Sequence, residues 1–185
     1  DAFLVGGGMA NTFLAAQGID VGTSLRDDDL EPAKRILALA KTHDVAIHLP
    51  TDVVVANSFD DDASAEPCEL ADVGKRMILD IGSQTAWRYT REIEGANTIV
   101  FNGPMGVFEK EPYRAGTRAI GIAMAAATKR GATTVVGGGD AAAAATLLGF
   151  AGQVSHVSTG GGATLEYLEG RTLPGIAVLE AKVAR

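Results

Sequence analysis

A single cysteine, Cys68, rules out any disulfide within this chain of 185 residues, which suits a reducing compartment. Cys68 lies in the polar stretch Ala65-Glu66-Pro67-Cys68-Glu69 and reads as an incidental loop thiol. Positive charge is also scarce: 16 Lys and Arg face 23 Asp and Glu, for a net charge of −7. The basic residues are scattered rather than banked on one face, so a nucleic-acid partner is not expected and any anionic ligand must be held locally. No apolar run is long enough to span a bilayer and the amino terminus is not a signal peptide, so no membrane partner is expected and cytoplasm is the default. An initiator methionine is missing too. Asp1 leads within a residue into an apolar strand pattern, and the chain is expected to be the carboxy-terminal part of something longer. What remains, 46% apolar and 21% charged residues, is the composition of one well-buried domain.

Glycine is what the chain has. Three short apolar or β-branched runs each break into three glycines followed by a segment able to form a helix: Phe3-Leu4-Val5 before Gly6-Gly7-Gly8, Thr133-Thr134-Val135-Val136 before Gly137-Gly138-Gly139-Asp140, and Val157-Ser158-Thr159 before Gly160-Gly161-Gly162. Glycine lets the backbone turn with its amides exposed. The first-turn N–H groups of the helix that follows lack partners and favour negative charge, so each turn is a candidate phosphate site.

Taken in order, Ala2 to Val5 reads as a buried strand and Met9 to Gln17 as a helix carrying Phe13, Leu14 and Ala16, closed by Gly18. Ile19 to Leu25 is short and extended, and Asp27-Asp28-Asp29 reads as the acidic cap of a helix running to about Thr42. Val45 to Leu49 and Val53 to Ala56 are strands parted by Pro50. Residues 57–74, with Asp60-Asp61-Asp62, lack a hydrophobic period and read as an exposed loop or hairpin; their spacing is not that of an EF-hand. Met77 to Ile81 is apolar and short, and Ser83 to Ile93 suits a helix with Trp87 on its buried side, as core rather than ligand platform. Strands follow at Thr98 to Phe101, Thr133 to Val136 and Val154 to Ser158, with helices at Tyr113 to Arg130, Ala141 to Leu148 and Ala163 to about Glu169. This alternation predicts an α/β fold, a three-layer α/β/α Rossmann-like domain with a mostly parallel sheet, in which ligands sit outside the carboxyl ends of the strands.

Familiar phosphate chemistries are excluded in turn. No glycine loop ends in Gly-Lys-Ser or Gly-Lys-Thr, and the protein-kinase glycine loop and its Asp-Phe-Gly partner are missing. No spaced third glycine supports a dinucleotide fingerprint, which sets aside a Rossmann-type oxidoreductase. The histidines, His43, His48 and His156, form no triad, and His48 reads as a core or edge residue. Glu109 and Glu111 could be drawn as a paired acid and base, but glutamates two apart more often face solvent, and that reading wins for Glu111.

Four ordered motifs then carry a resemblance. Gly6-Gly7-Gly8-Met9-Ala10-Asn11-Thr12-Phe13, Asn102-Gly103-Pro104-Met105-Gly106-Val107-Phe108-Glu109, Gly137-Gly138-Gly139-Asp140 and Val157-Ser158-Thr159-Gly160-Gly161-Gly162-Ala163 resemble the nucleotide-domain motifs of the phosphoglycerate kinase family. The likeness continues through Leu168-Glu169-Gly170 and Leu173-Pro174-Gly175. It implies that residues 1–185 are part of the carboxy-terminal, nucleotide-binding domain of a two-domain, hinge-bending kinase, with 170–185 a tail returning towards the hinge. Such a kinase, monomeric at full length, transfers a phosphoryl group between 1,3-bisphosphoglycerate with ADP and 3-phosphoglycerate with ATP.

By that resemblance Gly7, Gly8, Leu25, Leu79 and Val107 wall the adenine, Glu109 accepts from the ribose hydroxyls, and Asn102 and Pro104 border sugar and phosphates. Asp140 holds the magnesium ion, and amides of Gly138, Gly139 and Ala141 meet the nucleotide phosphates. Gly139, Gly161 and Gly162 face the phosphoryl group in transfer. The 3-phosphoglycerate would come through an amino-terminal domain outside this chain. Two departures from the family pattern are Ile78, where many relatives have glycine, and Ala141, where some carry a hydroxyl; both leave backbone contacts possible. No lysine or arginine lies within or beside the three glycine loops, so this chain alone is expected to be inactive. The alternative is a non-catalytic nucleotide-binding or regulatory module of the same fold.

Overall fold

The structure, a computed structural model, describes residues 1–158 and 160–183, with side chains through residue 178. Strand β1 (Ala2–Leu4) runs into helix α1 (Gly7–Ala16), and β2 (Ala46–His48) follows helix α2 (Glu31–Thr42) to pair with β1 in parallel. Strands β6 (Thr98–Phe101), β7 (Thr133–Gly137) and β8 (His156–Ser158) form a second, wholly parallel group in the order β6-β7-β8. Between them in sequence come α4 (Ala115–Lys129) after β6 and α5 (Gly139–Leu147) after β7; α6 (Gly161–Leu168) and α7 (Pro174–Val183) follow β8. Strands β3 (Asp52–Ala56), β4 (Glu66–Glu69) and β5 (Met77–Ile81) pair antiparallel in the order β4-β3-β5, and an isolated antiparallel bridge joins Gly22 to Met77. The fold is therefore mixed α/β with mostly parallel pairing.

Several starts and stops differ from the expected ones for identifiable reasons. Helix α1 begins at Gly7, two residues early, and Gly18 ends it at φ +83° with its N–H on the Ala15 carbonyl. The acidic run before α2 does not cap it through the helix-capping position, which is Leu30. Instead Asp27 Oδ1 accepts from the Asp29 N–H and Asp29 Oδ1 from the Glu31 N–H, two side-chain turns that lead into the helix. In residues 57–74 the chain makes a loop, a short 3-10 turn and then β4, which hydrogen-bonds back onto β3.

Helix α3 (Ser83–Gly95) corrects the reading of Trp87, which is 65% exposed. The buried face of α3 is Thr85, Ala86, Tyr89 and Ile93. Trp87 stands two residues from Tyr89, about 200° around the helix, so burying one exposes the other. Cys68 is corrected in the opposite direction: it lies buried in β4 against Val53, Val55 and Val73, with the Arg76 guanidinium on its sulfur at 3.1 Å. Burial pushes its thiol pKa up.

The main core gathers Tyr89 and Ile93 of α3, Ile120, Met124 and Ala127 of α4, Ala141 and Ala145 of α5, and Phe101 and Val136 from the parallel strands. Small residues dominate the buried faces of α4 and α5, and a Cβ on Gly121 of α4 would collide with the ring of Phe150, which follows α5. A smaller core joins Val5, Ala10, Phe13 and Ala33 beneath β1 and β2. Tyr89 links the two, its hydroxyl lying 2.8 Å from both the Val5 and His48 carbonyls. No described helix is long and apolar enough to cross a membrane.

Candidate functional site

The three glycine turns all fall at carboxyl ends of parallel strands or at the helix starts beyond them, as the α/β arrangement requires. Two clusters of candidate residues form there. In the first, the amino end of α1 abuts the segment 102–108 that follows β6. Gly7 at φ +60° donates its N–H to the Met105 carbonyl at 3.0 Å, and a Cβ at Gly7 would lie 3.2 Å from the Pro104 carbonyl oxygen. Only glycine adopts that conformation so near another backbone without strain. Gly8 faces Leu25, whose Cδ2 would lie 3.5 Å from a Cβ at that position. The Leu25 side chain is 78% exposed, an apolar surface held open beside a glycine backbone.

Two residues not foreseen as part of the site fix Leu25. Asn11, buried in α1, donates from Nδ2 to the Leu25 carbonyl at 3.0 Å, and Ser24 Oγ accepts the Ile78 N–H at 2.8 Å. These bonds tie the segment before α2 to α1 and to the start of β5. Leu79 follows, and its carbonyl accepts the Val107 N–H at 2.9 Å, placing Leu79 and Val107 together. Glu109 is exposed just beyond, with its carbonyl on Arg114 Nη2 at 2.9 Å.

The second cluster lies where α5 and α6 begin. Gly138 takes φ +104°, and its N–H donates to the Ser158 carbonyl at 2.9 Å. That engagement corrects the expectation that the Gly138 amide faces a ligand. The first-turn amides of α5 belong to Gly139, Asp140 and Ala141; the Ala142 N–H already returns to the Gly138 carbonyl. Gly161 and Gly162 open α6, and a Cβ on Gly161 would lie 2.7 Å from the Gly138 Cα. Asn102 Oδ1 borders the same place, 3.2 Å from a Cβ at Gly138. Asp140 is exposed in the first turn of α5. Thr159, part of the third motif, lies outside the described residues.

The loop 102–107 touches both clusters, at Asn102 by the α5 and α6 starts and at Pro104 to Val107 by α1 and β5. It is itself held from α4, where Thr117 Oγ1 accepts the Met105 N–H at 3.0 Å. Two carboxylates are buried at helix starts, Asp80 beside the loop and Asp52 away from it. Asp52 takes the Gln84 and Thr85 N–H groups at 3.0 and 2.7 Å and the Thr85 hydroxyl at 2.6 Å, capping α3 from outside its own segment. Asp80 takes the Ile81 N–H at 2.9 Å and the Gly116 N–H at 2.8 Å. Burial raises the Asp80 pKa from 3.8 to about 7, against the opposing pull of those two N–H groups.

A metal ion finds no cage here: no group of three or more His, Cys, Asp or Glu is placed to hold one among the described residues. A single exposed carboxylate at a helix start does fit magnesium, which keeps several waters and is bound through one or two carboxylates plus phosphates.

The sequence model for phosphoglycerate kinase matches residues 1–171. The chain belongs to the phosphoglycerate kinase family. It is 53% identical over 183 residues to a phosphoglycerate kinase of Chloroflexus aurantiacus and 53% identical over 181 residues to one of Chloroherpeton thalassium. In both cases the match covers 97% of this chain and 46% of the relative. The structure of phosphoglycerate kinase from Coxiella burnetii superposes with a TM-score of 0.90 at 44% identity, over 97% of this chain and 46% of that one. That from Pyrococcus horikoshii gives a TM-score of 0.77 at 31% identity, over 95% and 44%. The chain thus spans somewhat under half the length of the phosphoglycerate kinases it matches.

Proposed function

We propose that these residues are the nucleotide-binding part of a phosphoglycerate kinase, which transfers a phosphoryl group reversibly between 1,3-bisphosphoglycerate with ADP and 3-phosphoglycerate with ATP. The observation that carries this reading is the loop 102–107, which reaches an apolar slot at one end and two convergent helix starts at the other. An adenine ring suits the slot of Gly7, Gly8, Leu25, Leu79 and Val107, where glycine backbone admits a flat ring. Glu109 accepts from the ribose hydroxyls, and Asn102 and Pro104 border the sugar and phosphates. The amides of Gly139 and Ala141 receive the nucleotide phosphates, and those of Gly161 and Gly162 face the transferring group, where oxygen charge needs fixed donors. Gly138 contributes by its conformation, which turns the chain into α5.

Asp140 would hold magnesium, which when bound neutralises charge across the nucleotide phosphates. The acid substrate is met by a separate amino-terminal domain, and the enzyme works as a soluble cytoplasmic monomer. Residues 1–185 form one nucleotide-binding domain in this reading, with residues 57–74 an outlying excursion and 170–185 the tail towards the hinge; residues 184 and 185 of that tail lie outside the described ones. Since the glycine loops bring no lysine or arginine, the 185 residues alone bind nucleotide weakly and do not turn over.

A coupled kinase assay run beside calorimetric titration with Mg-ADP tests this. Turnover is expected in the two-domain enzyme and none from residues 1–185; robust turnover by the shorter chain would overturn the second statement. Failure of the two-domain enzyme to use Mg-ADP would overturn the first and favour a non-catalytic module.

A further inference from the structure

Asp52 and Asp80 are both buried carboxylates that accept N–H groups at a helix start, and they differ in what surrounds them. Everything Asp52 bonds through its carboxylate belongs to α3. Asp80 stands between two elements that also grip the loop 102–107. Its Oδ2 accepts the Gly116 N–H of α4, while its neighbour Leu79 accepts the Val107 N–H and Thr117 of α4 accepts the Met105 N–H. Between those bonds passes Gly106, packed so closely that a Cβ there would lie 2.5 Å from both Asp80 Oδ1 and the Leu79 carbonyl oxygen. Gly116 is equally crowded against the same carboxylate. The carboxylate therefore fills the angle between β5, the first turn of α4 and the loop.

We propose that Asp80 is a positioning residue for nucleotide recognition: by fixing the first turn of α4 to β5, it sets the slot through which residues 105–107 pass and so holds Val107 beside Leu79. This rests on the nucleotide-site reading above. Asp80 touches no substrate. Its effect reaches the base through the backbone of Gly106 and Val107, and the phosphoryl-transfer end, built from α5 and α6, lies outside its reach. Removing it frees the Gly116 N–H and opens a void where packing now leaves no slack.

The test compares Asp80→Ala and Asp80→Asn with Asp52→Ala, a loss of the same kind of buried cap away from the loop. In the two-domain enzyme, Asp80→Ala is expected to raise the nucleotide KM roughly tenfold, the equivalent of one lost hydrogen bond, with kcat little changed. In residues 1–185, amide hydrogen exchange at Met105 and Val107 should quicken by a similar factor relative to Val135 and Val136 of β7. Asp80→Asn keeps the volume and one acceptor oxygen, so both effects should persist at roughly threefold. Asp52→Ala should leave nucleotide KM and the Met105 and Val107 exchange where they were. A folded Asp80→Asn protein with unchanged exchange overturns the proposal, as does an equal rise in KM from Asp52→Ala. Absence of nucleotide-dependent turnover in the unmodified enzyme overturns the nucleotide reading instead, and the exchange result still decides whether Asp80 positions the loop.

Discussion

Gly161 meets Gly138 backbone to backbone: the Cα of Gly138 lies 2.7 Å from where a Gly161 side chain would begin. Two helices therefore start side by side, and no rotamer can relieve a collision between main chains. Gly161→Ala is expected to part the α5 and α6 starts by several tenths of an ångström, enough to reduce turnover of the two-domain enzyme by roughly a hundredfold while far-UV circular dichroism is retained. Turnover within twofold of the unmodified enzyme would remove this contact from the transfer site.

Asp140→Ala separates the proposed magnesium role of Asp140 from its support of α5. As an exposed first-turn carboxylate it adds about 0.3–1 kcal/mol through the helix dipole, so urea unfolding should shift only slightly. Turnover in the two-domain enzyme should fall severely and lose its dependence on magnesium concentration. A magnesium response like that of the unmodified enzyme would take Asp140 out of the metal role.

Trp87 and Tyr89 should respond oppositely to truncation. Trp87→Ala, at an exposed position, should change stability by less than about 0.5 kcal/mol. Tyr89→Phe removes the hydroxyl shared by the Val5 and His48 carbonyls and should cost about 1–3 kcal/mol. Chemical denaturation of the two variants checks both, and equal costs would contradict the packing of α3.

Asp80 gives stability a particular dependence on pH. Its folded pKa, about 7, lies above its unfolded value of 3.8, so between these values the folded chain binds the extra proton. Stability from this group is therefore present below the unfolded value and lost as pH rises towards 7, by an amount on the order of 2–4 kcal/mol. Asp80→Asn should flatten the fall in unfolding free energy between pH 5 and about 8 that the unmodified protein shows. Parallel pH profiles for the two proteins would count against the raised pKa.

Much of the fold could be read along the chain because its signals are contiguous. A β-branched run followed by glycines announces its own strand and turn, and all three such turns lie at the mouth of the parallel strands. The orientation of Trp87 is not legible in the sequence because a helix with polar residues at most positions leaves its phase to tertiary contact: Tyr89, with its two distant carbonyl partners, settles which face turns inward. Cys68 reads as a loop residue because its stretch is polar, yet in β4 it turns inward between the exposed Pro67 and Glu69. Asp80 carries a faint signal as the one polar residue of β5, and Asn11 a fainter one beside Thr12 in an otherwise apolar α1. Their partners, Leu25 and Gly116, are distant in sequence and could be found only in three dimensions.

The Tyr89 hydroxyl has a further consequence for how the chain assembles. Among the described residues β1 and β2 pair only with each other, as do β6, β7 and β8, so no ladder bond crosses between the two parallel groups. Each group can close its own βα units over short loops before the other is complete, which is the inexpensive order of events for chain entropy. On that order the phenol of α3, reaching the ends of β1 and β2, is expected to join the two groups late. Its loss should quicken unfolding far more than it slows folding, the signature of a contact absent from the transition state.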